Sequence, residues 1–105
     1  MSEWIKEILE SDFDKETSQG TVLVDFFADW CGPCQKLPPI LEAVAKEVQG
    51  VSFLKINIDA AQEIATHLGV TSIPTLVLLK DGKEVDRVVG LIEKDDLKKF
   101  IEKSK

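Results

Sequence analysis

Cysteine and histidine are scarce in this 105-residue chain, which has two cysteines, one histidine (His67) and no second cysteine pair. A tetrahedral zinc site needs two ligands beyond a single cysteine pair, so no metal is expected. His67, with no second ligand or base to give it chemistry, reads as a solvated helix residue. No uninterrupted apolar run approaches the roughly 18 residues of a membrane span, so a membrane is not an expected partner. Basic charge is also short: 13 Lys and Arg stand against 19 Asp and Glu, for a net charge of −6. Phosphate-backbone binding needs a basic surface, and nucleic acid is therefore not an expected partner. The first residues, Met1-Ser2-Glu3-Trp4-Ile5-Lys6-Glu7, lack the basic-then-apolar order of a secretory signal. A cytoplasmic location is expected, where a lone cysteine pair is more often catalytic than structural. Repeats, low-complexity stretches and an internal linker are missing too, and 44% apolar content at this length supports one core. One domain over residues 1–105 is expected.

Against this background the two cysteines stand three residues apart in Cys31-Gly32-Pro33-Cys34, at the end of an apolar, β-rich run. If the segment opens a helix, residues i and i+3 share a face at a separation that a disulfide tolerates. The pair then opens and closes with little backbone movement and stores two electrons. The unpaired N–H groups at a helix start favour thiolate over thiol at the first cysteine, which makes Cys31 the candidate nucleophile. Pro33 suits the first turn because its missing donor has no intrahelical acceptor there, and Gly32 lets another backbone come close. Cys34, one turn further in, is expected to be the less exposed thiol. A purely structural disulfide closing four residues would remove only about 2 kcal/mol of unfolded-state entropy, and two unrelated buried thiols would not account for the adjoining Trp30 and the Gly-Pro spacer.

The pattern along the chain predicts strands linked through helices and then a hairpin. Trp4 to Leu9 reads as a short edge strand, and Ser11 and Asp12 as caps of a short helix reaching about Ser18, with Gly20 beyond it. Val22 to Ala28 carries apolar residues on both faces, the mark of a central strand. A helix from Pro33 to about Gln49 repeats Leu37, Leu41, Val44, Ala45 and Val48 at helical spacing, with Pro38 and Pro39 expected to kink it. Val51 to Ile58 reads as a second buried strand, followed by a helix from Ala60 to Leu68 capped by Asp59. Thr75 to Lys80 and Glu84 to Val89 flank Asp81-Gly82, a hairpin signal, and a last helix spans about Lys94 to Lys103. The fold class is α/β, a central mixed sheet of four to five strands with helices on both faces.

Two further residues carry chemistry in their own right. A carboxylate at Asp25, on an apolar face of the central strand, is costly to ionise, so its pKa is expected to rise toward neutral unless the position is locally exposed. Lys55 shares a strand face with Phe53 and is placed to lie beside Asp25 on a neighbouring strand, where a cation would oppose that rise. Trp30, an aromatic body with a polar tip beside the nucleophile, suits either core packing or docking of a partner chain.

The segment Val22-Leu23-Val24-Asp25-Phe26-Phe27-Ala28-Asp29-Trp30-Cys31-Gly32-Pro33-Cys34 resembles the active-site signature of the thioredoxin family, itself the usual example of a Cys-X-X-Cys pair. The segments Lys55-Ile56-Asn57-Ile58-Asp59, Ile73-Pro74-Thr75-Leu76 and Val89-Gly90 follow at family spacing. The resemblance covers nearly the whole chain and implies a thioredoxin-like fold. It also implies a protein-disulfide reductase that cycles Cys31 and Cys34 between dithiol and disulfide and maintains cell redox homeostasis. By the same resemblance Asp25 helps move the proton of Cys34. Trp30, Gly32, Pro33, Ile73, Pro74 and Gly90 border the substrate groove, and the Ile73-Pro74 bond is cis. No cofactor is bound, and electrons come from a thioredoxin reductase. The partners are that reductase and disulfide-containing proteins, and the chain is expected to be a monomer. The stretch from Asp14 to Gly20 is shorter than in the family, which predicts a first helix that is reduced or absent. A disulfide oxidase or isomerase, or a non-catalytic binding subunit using the same groove, are the alternatives.

Overall fold

In the computed structural model, which describes residues 3–104, the chain runs through β1 (Lys6–Glu7), α1 (Phe13–Thr17), β2 (Thr21–Phe27), α2 (Gly32–Glu47), β3 (Val51–Asn57), α3 (Gln62–His67), β4 (Thr75–Lys80), β5 (Lys83–Val89) and α4 (Lys94–Ser104). The five strands form one sheet in the order β1-β3-β2-β4-β5. β1 and β2 each run parallel to β3, whereas β4 runs antiparallel to both β2 and β5, so the sheet is mixed.

β2 is central because both of its faces are apolar. Val22, Val24 and Phe26 join Leu54, Ile56, Val77 and Leu79 in a core closed by Phe13 of α1 and Ile64 of α3. On the opposite face Leu23 joins Phe53, Leu76 and Leu78 under Leu37, Leu41 and Val44 of α2 and Leu97, Phe100 and Ile101 of α4. Helices thus cover both faces, as the alternation of strand and helix patterns predicts. Asp25 falls on the α2 side of β2, in register with Lys55 of β3 and Leu76 of β4.

The hairpin between β4 and β5 turns at Asp81-Gly82, where both residues have positive φ (50° and 85°), the pairing demanded by a two-residue turn matched to strand twist. β5 carries one irregularity. Leu79 pairs with Glu84 and Leu78 with Asp86, so Val85 is the extra residue of a bulge.

Two local expectations change. The Ser11–Asp12 region forms a 3-10 turn, Glu10–Asp12, ahead of a five-residue α1; Asp12 has helical backbone angles and makes no side-chain cap bond. A capping side chain needs an extended backbone to reach back to the first N–H groups. Asp59 does not cap α3 either, since residues Ile58–Ala60 form their own 3-10 turn. The orphan N–H of Ile64 in the first turn of α3 donates instead to Glu10 Oε2 at 2.8 Å, a partner 54 residues away. α2 remains one continuous helix through Pro38 and Pro39, which simply lack the donors that would meet the carbonyls of Cys34 and Gln35.

Candidate active site

The cysteine pair lies where β2 hands over to α2. Cys31 is the N-cap residue, with an extended backbone (φ −89°, ψ 114°), and its Sγ accepts the Cys34 backbone N–H at 3.2 Å. Gly32 and Pro33 form the first helical turn. Cys31 and Cys34 are joined as a disulfide with Cα atoms 5.3 Å apart. The positive end of a 16-residue helix therefore faces Cys31 Sγ, which favours negative charge on that sulfur.

Exposure does not separate the two sulfurs, contrary to the sequence expectation: Cys31 is 5% and Cys34 4% exposed. Both pack with Ala28 against Phe27, Ile58 and Ile73, so position at the helix start, not depth, distinguishes them.

Trp30 is 70% exposed and is not a core residue. Its indole N–H donates to Asp59 Oδ2 at 2.9 Å, and the Asp59 backbone N–H donates to Asn57 Oδ1 at 2.9 Å. Asp59, read from sequence as a helix cap, instead anchors the tryptophan beside Cys31.

On the other side of the pair, the Ile73-Pro74 peptide is cis, and the Ile73 carbonyl oxygen lies 3.8 Å from Cys31 Sγ. The Gly90 N–H donates to the Pro74 carbonyl at 2.8 Å. Gly32, Pro33, Ile73, Pro74 and Gly90 line a groove of about 430 Å³ together with Lys36 and Leu91. Lys36 and Leu91 escaped the sequence reading. Lys36 lies on a helix face without a motif, and nothing local places Leu91 across from Pro33.

Asp25 and Lys55 belong to a different side of the pair. Asp25 is 2% exposed, and its Oδ1 has no hydrogen-bond partner among the described residues. It shares a cavity of about 140 Å³ with Cys34, Ala28, Pro38 and Lys55. Burial pushes the Asp25 carboxyl from the ordinary 3.8 up to about 7, and the Lys55 cation pulls the other way. Lys55 Nζ is 3.9 Å from Glu7 Oε1 and 5.3 Å from the Phe27 ring centre, so Asp25 shares the Lys55 charge with other partners. His67 is exposed at the end of α3. Among the described residues no group of three or more His, Cys, Asp or Glu side chains is placed to hold a metal ion, and no helix is long and apolar enough to cross a membrane.

A paired Cys-X-X-Cys at a helix start, beside a cis-proline groove and a buried carboxylate, is a thiol–disulfide exchange geometry. The family model described as Thioredoxin matches residues 4–103 of the chain. The chain belongs to the thioredoxin family. It is 54% identical over 96 residues to a thioredoxin of Chlamydia muridarum (strain MoPn / Nigg), covering 91% of this chain and 94% of that protein. It is 45% identical over 104 residues to a thioredoxin of Rickettsia felis (strain ATCC VR-1525 / URRWXCal2), covering 98% and 92%. Among solved structures, a mutant thioredoxin from Halobacterium salinarum NRC-1 superposes with a TM-score of 0.86 at 40% identity, covering 94% of this chain and 88% of that one. As a thioredoxin-family member with its cysteine pair at bonding distance, the protein is a dithiol–disulfide oxidoreductase.

Proposed function

We propose that this single-domain, monomeric, cytoplasmic thioredoxin-family member works in the reducing direction on disulfide-containing proteins, and carries electrons to them from a thioredoxin reductase. The observation that supports it most is Cys31 at the N-cap of α2, its sulfur accepting the Cys34 backbone N–H and lying 3.8 Å from the carbonyl of Ile73, a residue that lines the adjoining groove. Cys31 thiolate attacks one sulfur of the substrate disulfide, the substrate S–S bond breaks, and the leaving thiolate takes a proton. A mixed disulfide between Cys31 and the substrate remains. Cys34 then gives its proton to the Asp25 carboxylate, and the new thiolate attacks Cys31 Sγ. The second substrate sulfur leaves as thiolate, the Cys31–Cys34 bond closes, and two electrons have passed to the substrate.

Asp25 suits this task because burial brings its carboxyl into the range where it exchanges protons near neutrality, and it shares a cavity with Cys34. Lys55 tunes that carboxyl from the adjoining strand. Trp30 gives an exposed aromatic platform, and Ile73 offers backbone groups to an extended substrate segment lying over Gly32, Pro33, Pro74 and Gly90. No bound cofactor takes part.

Cys34→Ser separates the two thiol roles. The variant is expected to accumulate mixed disulfides with protein substrates, visible as higher bands on a non-reducing gel that dithiothreitol collapses. A clean monomer after incubation with a disulfide-bonded protein would count against Cys34 as the resolving thiol.

A further inference from the structure

The chain has a single arginine, Arg87, on β5. Its guanidinium donates from Nε to Glu84 Oε2 at 2.6 Å and from Nη2 to Glu84 Oε1 at 2.6 Å, a two-pronged grip that fixes the orientation of the fork. Nη2 also donates to the Leu68 carbonyl at 2.5 Å, and Nη1 approaches the Gly69 carbonyl at 3.5 Å. These carbonyls end α3, and a helix end leaves such groups without intrahelical partners.

A regular strand could not build this clamp. Residues i and i+3 of a strand point to opposite faces, so Glu84 and Arg87 would be separated by the sheet. The extra residue at Val85 restores them to one face, with Glu84 opposite Leu79 and Arg87 opposite Val77. Val77 and Leu79 both belong to the core on the α3 side.

What the clamp holds matters for the site. From Gly69 only four residues lead to Ile73, whose carbonyl lies beside Cys31 Sγ. Gly69 has φ +68°, and the Val70 N–H donates back to the Ala65 carbonyl at 2.8 Å, which sets the direction in which the chain leaves the helix. At its far end the same segment is fixed by the β5 end as well, through Thr75 opposite Val89 and the Gly90 N–H on the Pro74 carbonyl. β5 and the residue after it therefore grip both ends of the segment that carries the cis proline, and Arg87 supplies the side-chain part of that grip.

We infer that Arg87 is a positioning residue for disulfide exchange: held by Glu84 across the β5 bulge, it anchors the end of α3 and thereby sets where Ile73 and Pro74 lie against Cys31. The inference rests on the reading of Ile73 and Pro74 as the shelf for the substrate segment. Its effect is on protein substrates, which need the shelf, and not on the intrinsic reactivity of Cys31.

The test compares wild type, Arg87→Lys and Arg87→Ala at a temperature where all three are folded by circular dichroism. Steady-state reduction of a disulfide-bonded protein is measured alongside alkylation of reduced Cys31 by iodoacetamide, which makes no use of the groove. In Arg87→Ala, KM for the protein substrate is expected to rise about tenfold with kcat within about twofold, while the alkylation rate and its pH profile stay unchanged. Arg87→Lys keeps the charge but loses the fork and should fall between; it decides the matter if the alanine variant does not fold. Unchanged KM with only a lowered melting temperature would overturn the inference and leave Arg87 a helix-end stabiliser, and so would an alkylation rate that falls in step with KM. A wild-type protein unable to reduce protein disulfides would instead overturn the proposed function itself.

Discussion

Cys31→Ser is expected to bring reduction of a disulfide-bonded protein down to the rate of the uncatalysed reaction, a loss of at least about a thousandfold. A serine hydroxyl ionises far less readily than a thiol and cannot form the mixed disulfide, so both nucleophile and covalent intermediate disappear together. Cys34 cannot take over. The Cys34 backbone N–H faces Cys31 Sγ at the N-cap, whereas Cys34 itself lies inside the first turn of α2. Single-turnover reduction followed by free-thiol release gives the rate directly, and the same variant should form no mixed disulfide on a gel. A rate within about tenfold of wild type would remove Cys31 from the mechanism.

Asp25→Asn is expected to flatten the pH dependence of stability and to slow catalysis above neutral pH. The folded protein binds the Asp25 proton more tightly than the unfolded chain does, because burial raises the carboxyl to about 7 from 3.8. The stability gained by holding that proton is complete below about pH 4 and is lost progressively as the pH rises through about 7. The amount is about 4 kcal/mol, at about 1.4 kcal/mol for each tenfold change in proton affinity. Urea unfolding of wild type should therefore show stability falling by about this much between pH 4 and pH 8 from this one group. The asparagine variant should lack that component, whatever constant offset its buried amide brings. Above about pH 7 the variant should also release reduced product more slowly, since Cys34 has lost the carboxylate that takes its proton. Parallel stability curves for the two proteins, or an unchanged pH profile of product release, would each contradict the placement of an ionising carboxyl beside Cys34.

Most of what positions this site could be read in advance because it depends on periodicity. The two-faced apolar pattern of Val22 to Ala28 marks the central strand, and period-two counting puts Lys55 on one strand face with Phe53, able to lie beside Asp25; in the structure the two are in register. Asp81-Gly82 names its own turn, and the shortened stretch after Asp14 appears as a five-residue α1.

What stayed hidden depends on long-range partners. Glu10 caps α3 from 54 residues away, which left Asp59 looking like the obvious cap when its side chain in fact holds Trp30. The bulge at Val85 leaves no trace in a hydrophobic pattern, because one extra residue only shows against the strand it pairs with. Without it Glu84 and Arg87 read as unrelated surface charges. The near-equal burial of Cys31 and Cys34 likewise follows from packing of Phe27, Ile58 and Ile73 around the closed pair, which helix geometry alone does not contain.

The central claim, that Cys31 and Cys34 serve as a reducing pair, is tested most directly by their midpoint potential, obtained by equilibrating the protein with defined ratios of reduced and oxidised glutathione or dithiothreitol. The expected midpoint lies below about −250 mV, toward the reducing end of a scale on which thioredoxins themselves are a reference point. A midpoint between about −120 and −180 mV, where oxidases and isomerases fall, would contradict the account and reverse the direction in which the pair runs.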